Sequence, residues 1–207
     1  MKRLLVTIGA ALLATLLWSG VTKAATFDFV AAASGSEMGG QPLSFLEGGI
    51  GIDARGYWTG GSAVAYLDDG GGLGVCHSGL DGAGECTVSS DDNVTGAETL
   101  ELTFSEAVTL SSISFRDASH GTAFAVPDSL ILKVDGAATG LGGLDLASWP
   151  AYAGITGTIW EFIYVDEEFY IDTMVLTSAI PLPPAIALFG AALFGLSWLG
   201  RRKKQTV

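Results

Sequence analysis

Basic side chains are scarce in this chain, and most of those present lie at its ends. Of ten lysines and arginines in 207 residues, Lys2, Arg3 and Lys23 are at the start and Arg201, Arg202, Lys203 and Lys204 at the finish. Between Ala25 and Ala179 only Arg55, Arg116 and Lys133 stand against all 22 carboxylates, a net charge of −19 for that stretch. Such a surface repels nucleic acid and anionic lipid, which excludes nucleic acid as a partner, while it favours cations and solubility. Histidine and cysteine are rare too, with two of each. A structural zinc site of four Cys and His ligands is therefore not available, because His77 is the only histidine near the cysteines. No Gly-x-Ser-x-Gly segment exists to hold a nucleophilic serine, so Asp117, Ser119 and His120 have the letters of a triad without its elbow. His120 reads as a surface-loop residue. Also missing are a helical period before residue 180, an internal repeat, and a full EF-hand or RTX pattern.

What the chain does have is an apolar segment at each end. Lys2 and Arg3, the apolar run from Leu4 to Trp18, and Thr22-Lys23-Ala24 with small residues at −3 and −1 form the three regions of a secretory signal peptide. Cleavage is expected after Ala24, making residues 1–24 the leader; about 15 apolar residues is short for a retained anchor. At the other end come Ile180, Pro181, Leu182, Pro183 and Pro184, then residues 185–200 without a charge, then Arg201, Arg202, Lys203 and Lys204. The prolines make a stiff extended segment through which no helix continues. Residues 185–200 are apolar on every helical face, which belongs in lipid or a deep core. Alone they span roughly 24 Å at about 1.5 Å each; counted from Ile180 the run is long enough for a hydrocarbon core of about 30 Å. The basic cluster stays cytoplasmic and Trp198 falls where an interfacial aromatic sits, which leaves the bulk of the chain outside.

That C-terminal order resembles the PEP-CTERM class of sorting signals of Gram-negative bacteria, and Ile180 to Pro184 is similar to its VPLPA-CTERM variant. Ile180 replaces the variant's valine, Pro184 its alanine, and Leu182 stands where the Pro-Glu-Pro form carries glutamate. The resemblance implies export through the secretion translocon and insertion in the inner membrane with the ectodomain in the periplasm. An exosortase, a membrane-embedded cysteine protease or transpeptidase, then processes the chain near the proline motif, which leads to the cell envelope or the extracellular space. The stretch from Glu98 to Phe115, with Asp91-Asp92-Asn93 ahead of it, is also similar to β-rich ectodomains that such proteins carry. That likeness implies a fold and no activity.

Residues 25–179 are long enough to bury a core as one domain. Short apolar segments punctuated by Gly70-Gly71-Gly72 and Gly142-Gly143 predict an all-β, antiparallel, jelly-roll-like sandwich of around nine strands. Thr26 to Ala32, Gly48 to Ile52 and Ala63 to Leu67 are the early strands. Leu100, Leu102 and Phe104 point one way and Thr99, Glu101 and Thr103 the other. Ser105-Glu106-Ala107 reads as a turn, so that Glu98 to Asp117 is a hairpin. Val108 and Leu110 have the opposite parity to Ile113 and Phe115, which predicts a β-bulge at Ser111-Ser112. Leu130 to Val134 ends in the turn signal Asp135-Gly136, Ile159 to Val165 is a central strand, and Phe169 to Thr177 closes the domain.

Cys76 and Cys86, an even count in glycine-rich sequence with an oxidising compartment expected, predict a disulfide worth about 2 to 3 kcal/mol. Carboxylates cluster at Asp68-Asp69, Asp91-Asp92-Asn93 and Asp166-Glu167-Glu168. Such clusters are most often solvated turns. The one cofactor weighed is calcium, held by Asp91, Asp92, Asn93 and Asp117, because the two ends of the Glu98 to Asp117 hairpin approach each other. Tyr57, Trp58, Trp149, Tyr152 and Trp160 are the aromatics that can stack on sugar rings, with Trp160 assigned to the core. The expected function is that of a non-enzymatic exported envelope or matrix protein, attached to or released into an extracellular polysaccharide layer such as a biofilm matrix. The alternatives are a calcium-dependent carbohydrate-binding module and an envelope hydrolase, which needs two carboxylates facing a cleft.

Overall fold

The structure is a computed structural model that describes residues 21–88, 91–124, 129–139, 144–147 and 152–180. The apolar segment 185–200, Pro181 to Pro184, the basic cluster 201–204, Trp149 and most of the leader lie outside the described residues. No helix among the described residues is long and apolar enough to cross a membrane. The chain divides into two compact units, and the one described here is Lys23–Ser178.

Strand is the rule among the described residues. The elements are β1 (Val21–Asp28), α1 (Phe29–Ala33), β2 (Met38–Gly40), β3 (Leu43–Glu47), β4 (Ile50–Trp58), β5 (Val64–Asp68) and β6 (Gly72–Cys76). After them come β7 (Glu98–Arg116), β8 (Ser129–Val134), β9 (Ala137–Ala138), β10 (Leu144–Asp145), β11 (Thr156–Tyr164) and β12 (Tyr170–Ile180). The hydrogen-bonded path runs β10-β8-β11-β7-β12-β6-β5-β2, with β1 added to β12, β3 to β4, β4 to β7 and β9 to β8. Pairings are antiparallel at each defined register.

β7 carries the architecture. Along one edge it pairs with β4 up to Phe104, opposite Ile52, and then with β12 from Thr109, opposite Thr177. Its other edge pairs with β11. Leu100, Leu102, Phe104, Val108 and Leu110 are buried at even positions, and Ile113 and Phe115 at odd ones. The parity change falls where it was expected: Val175 lies opposite Ser112 and Leu176 opposite Leu110, so Ser111 is the extra residue of a β-bulge. The turn expected at Ser105-Glu106-Ala107 is absent, and the strand continues through it. Phe104 and Val108 have the same parity, so no change of face calls for a reversal. The three residues instead mark the place where β7 exchanges β4 for β12. The first strand also needs correction, because Phe29 to Ala33 is helical. The Asp28 carboxylate caps that turn by accepting from Ala31 N at 2.8 Å, and the alanines that follow have little to gain from a pleat.

Aromatic rings fill the core around β7. Phe104 meets Trp160 edge-on with ring centroids 5.4 Å apart, and Phe115 meets Phe169 at 5.7 Å. The turn between β8 and β9 uses Asp135 and Gly136 at φ 50° and 77°, the pair of positive values that a two-residue hairpin requires. The leader reading removes Val21 to Ala24, which here form the first half of β1. Lys23 in that half makes a 2.6 Å ion pair with Glu106. Cleavage after Ala24 therefore leaves a β1 that starts at Ala25.

Candidate functional site

The polar centre of the domain is the segment from Asp91 to Glu98, which leads into β7. It is held close because Gly74 in β6 has no side chain: a Cβ there would lie 2.2 Å from the Asp92 carbonyl oxygen. This close approach presses Asp91, Asp92 and Asn93 against β6, leaving them 6%, 5% and 2% exposed. Each turns to a different partner.

Asp91 turns to His77, the residue that follows β6. His77 Nδ1 lies 2.5 Å from Asp91 Oδ1 and 2.7 Å from Glu98 Oε1. The second oxygen of each carboxylate is held by backbone. Asp91 Oδ2 accepts from His77 N at 3.1 Å and Ser78 N at 2.5 Å, and Glu98 Oε2 accepts from Thr95 N at 2.8 Å. The Trp58 indole stacks on the imidazole with centroids 4.4 Å apart. The Cys76–Cys86 disulfide, with Cα atoms 5.9 Å apart, closes the loop that His77 opens. Burial pushes the fully enclosed Glu98 carboxyl up to about 7, opposed by the Thr95 and His77 hydrogen bonds.

Asp92 turns to the Tyr170 hydroxyl, which donates a short hydrogen bond to Asp92 Oδ1. Nearby, His120 Nε2 lies 3.0 Å from Asp68 Oδ2, and the same oxygen accepts from Gly71 N at 2.8 Å. Burial, reinforced by the charge of Asp92, raises the Asp68 carboxyl to about 6, and His120 partly offsets the rise. Asp92 is raised as well, again chiefly by burial. Asn93 Nδ2 donates to Glu168 at 3.1 Å.

The set Asp91, Asp92, Asn93 and Asp117 is therefore not gathered on one point. Asp117 Oδ1 accepts from Ser119 N and Gly121 N, both at 2.8 Å, and closes its own loop. The Glu98 to Asp117 stretch is a single strand rather than the expected hairpin, so no turn brings its two ends together. Glu98 at the start of β7 joins Asp91 through His77, while Arg116 at its end lies opposite Tyr170, which holds Asp92. His120 lies in the loop after β7, as expected, half-exposed and with Asp68 as its partner. Of the aromatics, Tyr152 and Trp160 are fully buried, Tyr57 is exposed, and Trp58 has one face occupied by His77. Trp149 lies outside the described residues.

His77 and Glu98 are the residues that reading the sequence for clusters passes over. Glu98 nonetheless carries a signal, because it shares the parity of Leu100, Leu102 and Phe104 and so puts a carboxylate on the inward face. Chemically, one imidazole nitrogen and two enclosed carboxylates can share a proton or hold a cation, and His77, Asp91 and Glu98 offer ligand atoms within 4.8 Å of one another. No protein-family model matches the chain, and neither a curated protein nor a solved structure is significantly similar to it.

Proposed function

We propose that this chain is a non-enzymatic exported protein of the cell envelope or extracellular matrix, delivered by its leader and processed by an exosortase at its C-terminal signal. The observation that carries the reading is the order of the last 28 residues: proline motif, uncharged apolar run, basic cluster. The acidic all-β body and its disulfide support it, since both suit a domain working in an oxidising exterior. In this reading the two sets of neighbours that β7 joins are the leaves of a jelly-roll-like sandwich. β12 delivers the chain to a membrane-spanning helix at 185–200, with Arg201 to Lys204 on the cytoplasmic side. The mature domain then resides in, or is released into, an extracellular polysaccharide layer.

The test is the intact mass and C-terminal peptide of the protein from its own host, with and without the host's exosortase. A terminus near Pro183 that disappears on deletion of the exosortase supports processing. A terminus at Val207 in both strains reduces the tail to a plain anchor and removes the sorting reading.

A further inference from the structure

We propose that His77, Asp91 and Glu98 form a binding site for one divalent transition-metal cation of the Zn2+ class. The starting point is charge. Asp91 and Glu98 side chains are 8% and 0% exposed, yet among the described residues no lysine or arginine pairs with either. One imidazole faces two carboxylates, so a cation is the chemical species the arrangement lacks.

Orientation supports the same assignment. A metal site needs its ligands aimed in advance by outer hydrogen bonds. Here each carboxylate has one oxygen fixed by backbone N–H groups of His77, Ser78 or Thr95, and the other directed at Nδ1. Stacking on Trp58 fixes the imidazole plane, and the adjoining disulfide limits how far its backbone can move. His77 is 30% exposed, which provides an entry path and an open position for water.

The donor set chooses the ion. Calcium takes six to eight oxygens, whereas one nitrogen and two carboxylates are the borderline donors of Zn2+, Co2+ or Mn2+. Zinc bonds of about 2.0–2.1 Å in a tetrahedron set ligand atoms ~3.3 Å apart. The present separations from Nδ1 are 2.5 and 2.7 Å, so an outward shift of the exposed imidazole by less than about 1 Å opens the site.

The site does not depend on how the tail is processed, and a mass spectrum of the terminus and a metal titration fail separately. The experiment is to strip the full-length protein with chelator, then titrate Co2+ and Zn2+ by visible absorption and calorimetry, with Ca2+ as control. The expected result is one equivalent of Co2+ with a d–d spectrum of low coordination number, displaced by Zn2+, and no comparable uptake of Ca2+. Glu98→Gln and His77→Gln weaken Zn2+ by about 100-fold or more, whereas Asp117→Asn leaves it unchanged. Circular dichroism confirms that each variant is folded. If the folded wild type takes up no Co2+ or Zn2+, the triad is a proton-sharing network and the proposal is overturned; the wild-type arm needs no variant. Unaltered uptake in both His77→Gln and Glu98→Gln overturns it equally, by placing the ion elsewhere.

Discussion

With metal removed, the domain should lose stability as pH rises through neutrality, and Glu98 is the main reason. Its carboxyl is at about 7 in the folded chain against an ordinary 4.5. Between those values the folded state binds more protons than the unfolded state, so stability is greatest at the acid end and falls as pH rises through the folded value. The full shift corresponds to about 3 kcal/mol. For a body of this size that is a Tm drop of about 6–12 °C between pH 5 and pH 8. Asp68, raised to about 6, adds in the same direction over a slightly more acid window. The assay is thermal unfolding by circular dichroism from pH 5 to 8 in the presence of chelator, wild type beside Glu98→Gln. The variant should show a visibly flatter profile, since a glutamine does not ionise. A wild-type Tm that stays level or rises over that range, or a Glu98→Gln profile parallel to wild type, refutes the assignment of an enclosed carboxyl to this position.

Two further outcomes follow from the packing. Replacing both Cys76 and Cys86 by serine should cost about 2 to 3 kcal/mol in urea unfolding, because the closed loop is short; an unchanged midpoint would mean the crosslink constrains nothing. Gly74→Ala should destabilise by about 1–3 kcal/mol, since its Cβ would collide with the Asp92 carbonyl, and in the same variant Zn2+ affinity should drop as Asp91 is displaced. A Gly74→Ala protein with wild-type stability would show that the segment from Asp91 to Asn93 has room to spare.

How much of this was legible in the sequence depended on whether a residue's role was set by its near neighbours. Alternation through Leu100, Leu102 and Phe104, and the parity break before Ile113, gave the two halves of β7 and its bulge because period two is a local property. Asp135-Gly136 gave its hairpin for the same reason. β2, β3 and β6 were passed over, since Met38–Gly40 and Gly72–Cys76 are glycine-rich and Leu43–Glu47 places few side chains inward. Ser105-Glu106-Ala107 looked like a turn because its residue types suit one. Only the exchange of partners between β4 and β12, a tertiary fact, explains why the strand passes through. The carboxylates of Asp91 and Asp92 stood out by adjacency, yet adjacency on a chain sends side chains to different sides, and Asp91 found His77 while Asp92 found the Tyr170 hydroxyl. His77, Asp91 and Glu98 form no motif at all. β6, the disulfide loop and β7 bring them together.

The place of β12 also governs when the domain can form. This last strand is not an edge addition but sits inside the sheet, between β7 and β6, and also pairs with β1. In chain order β1 through β11 precede β12, but the second half of β7, with Leu110, Ile113 and Phe115, has no partner on that edge until Tyr170 to Thr177 are in place. Contacts so distant in sequence make for slow closure and late cooperativity. The body thus stays open along that edge until β12 is in place.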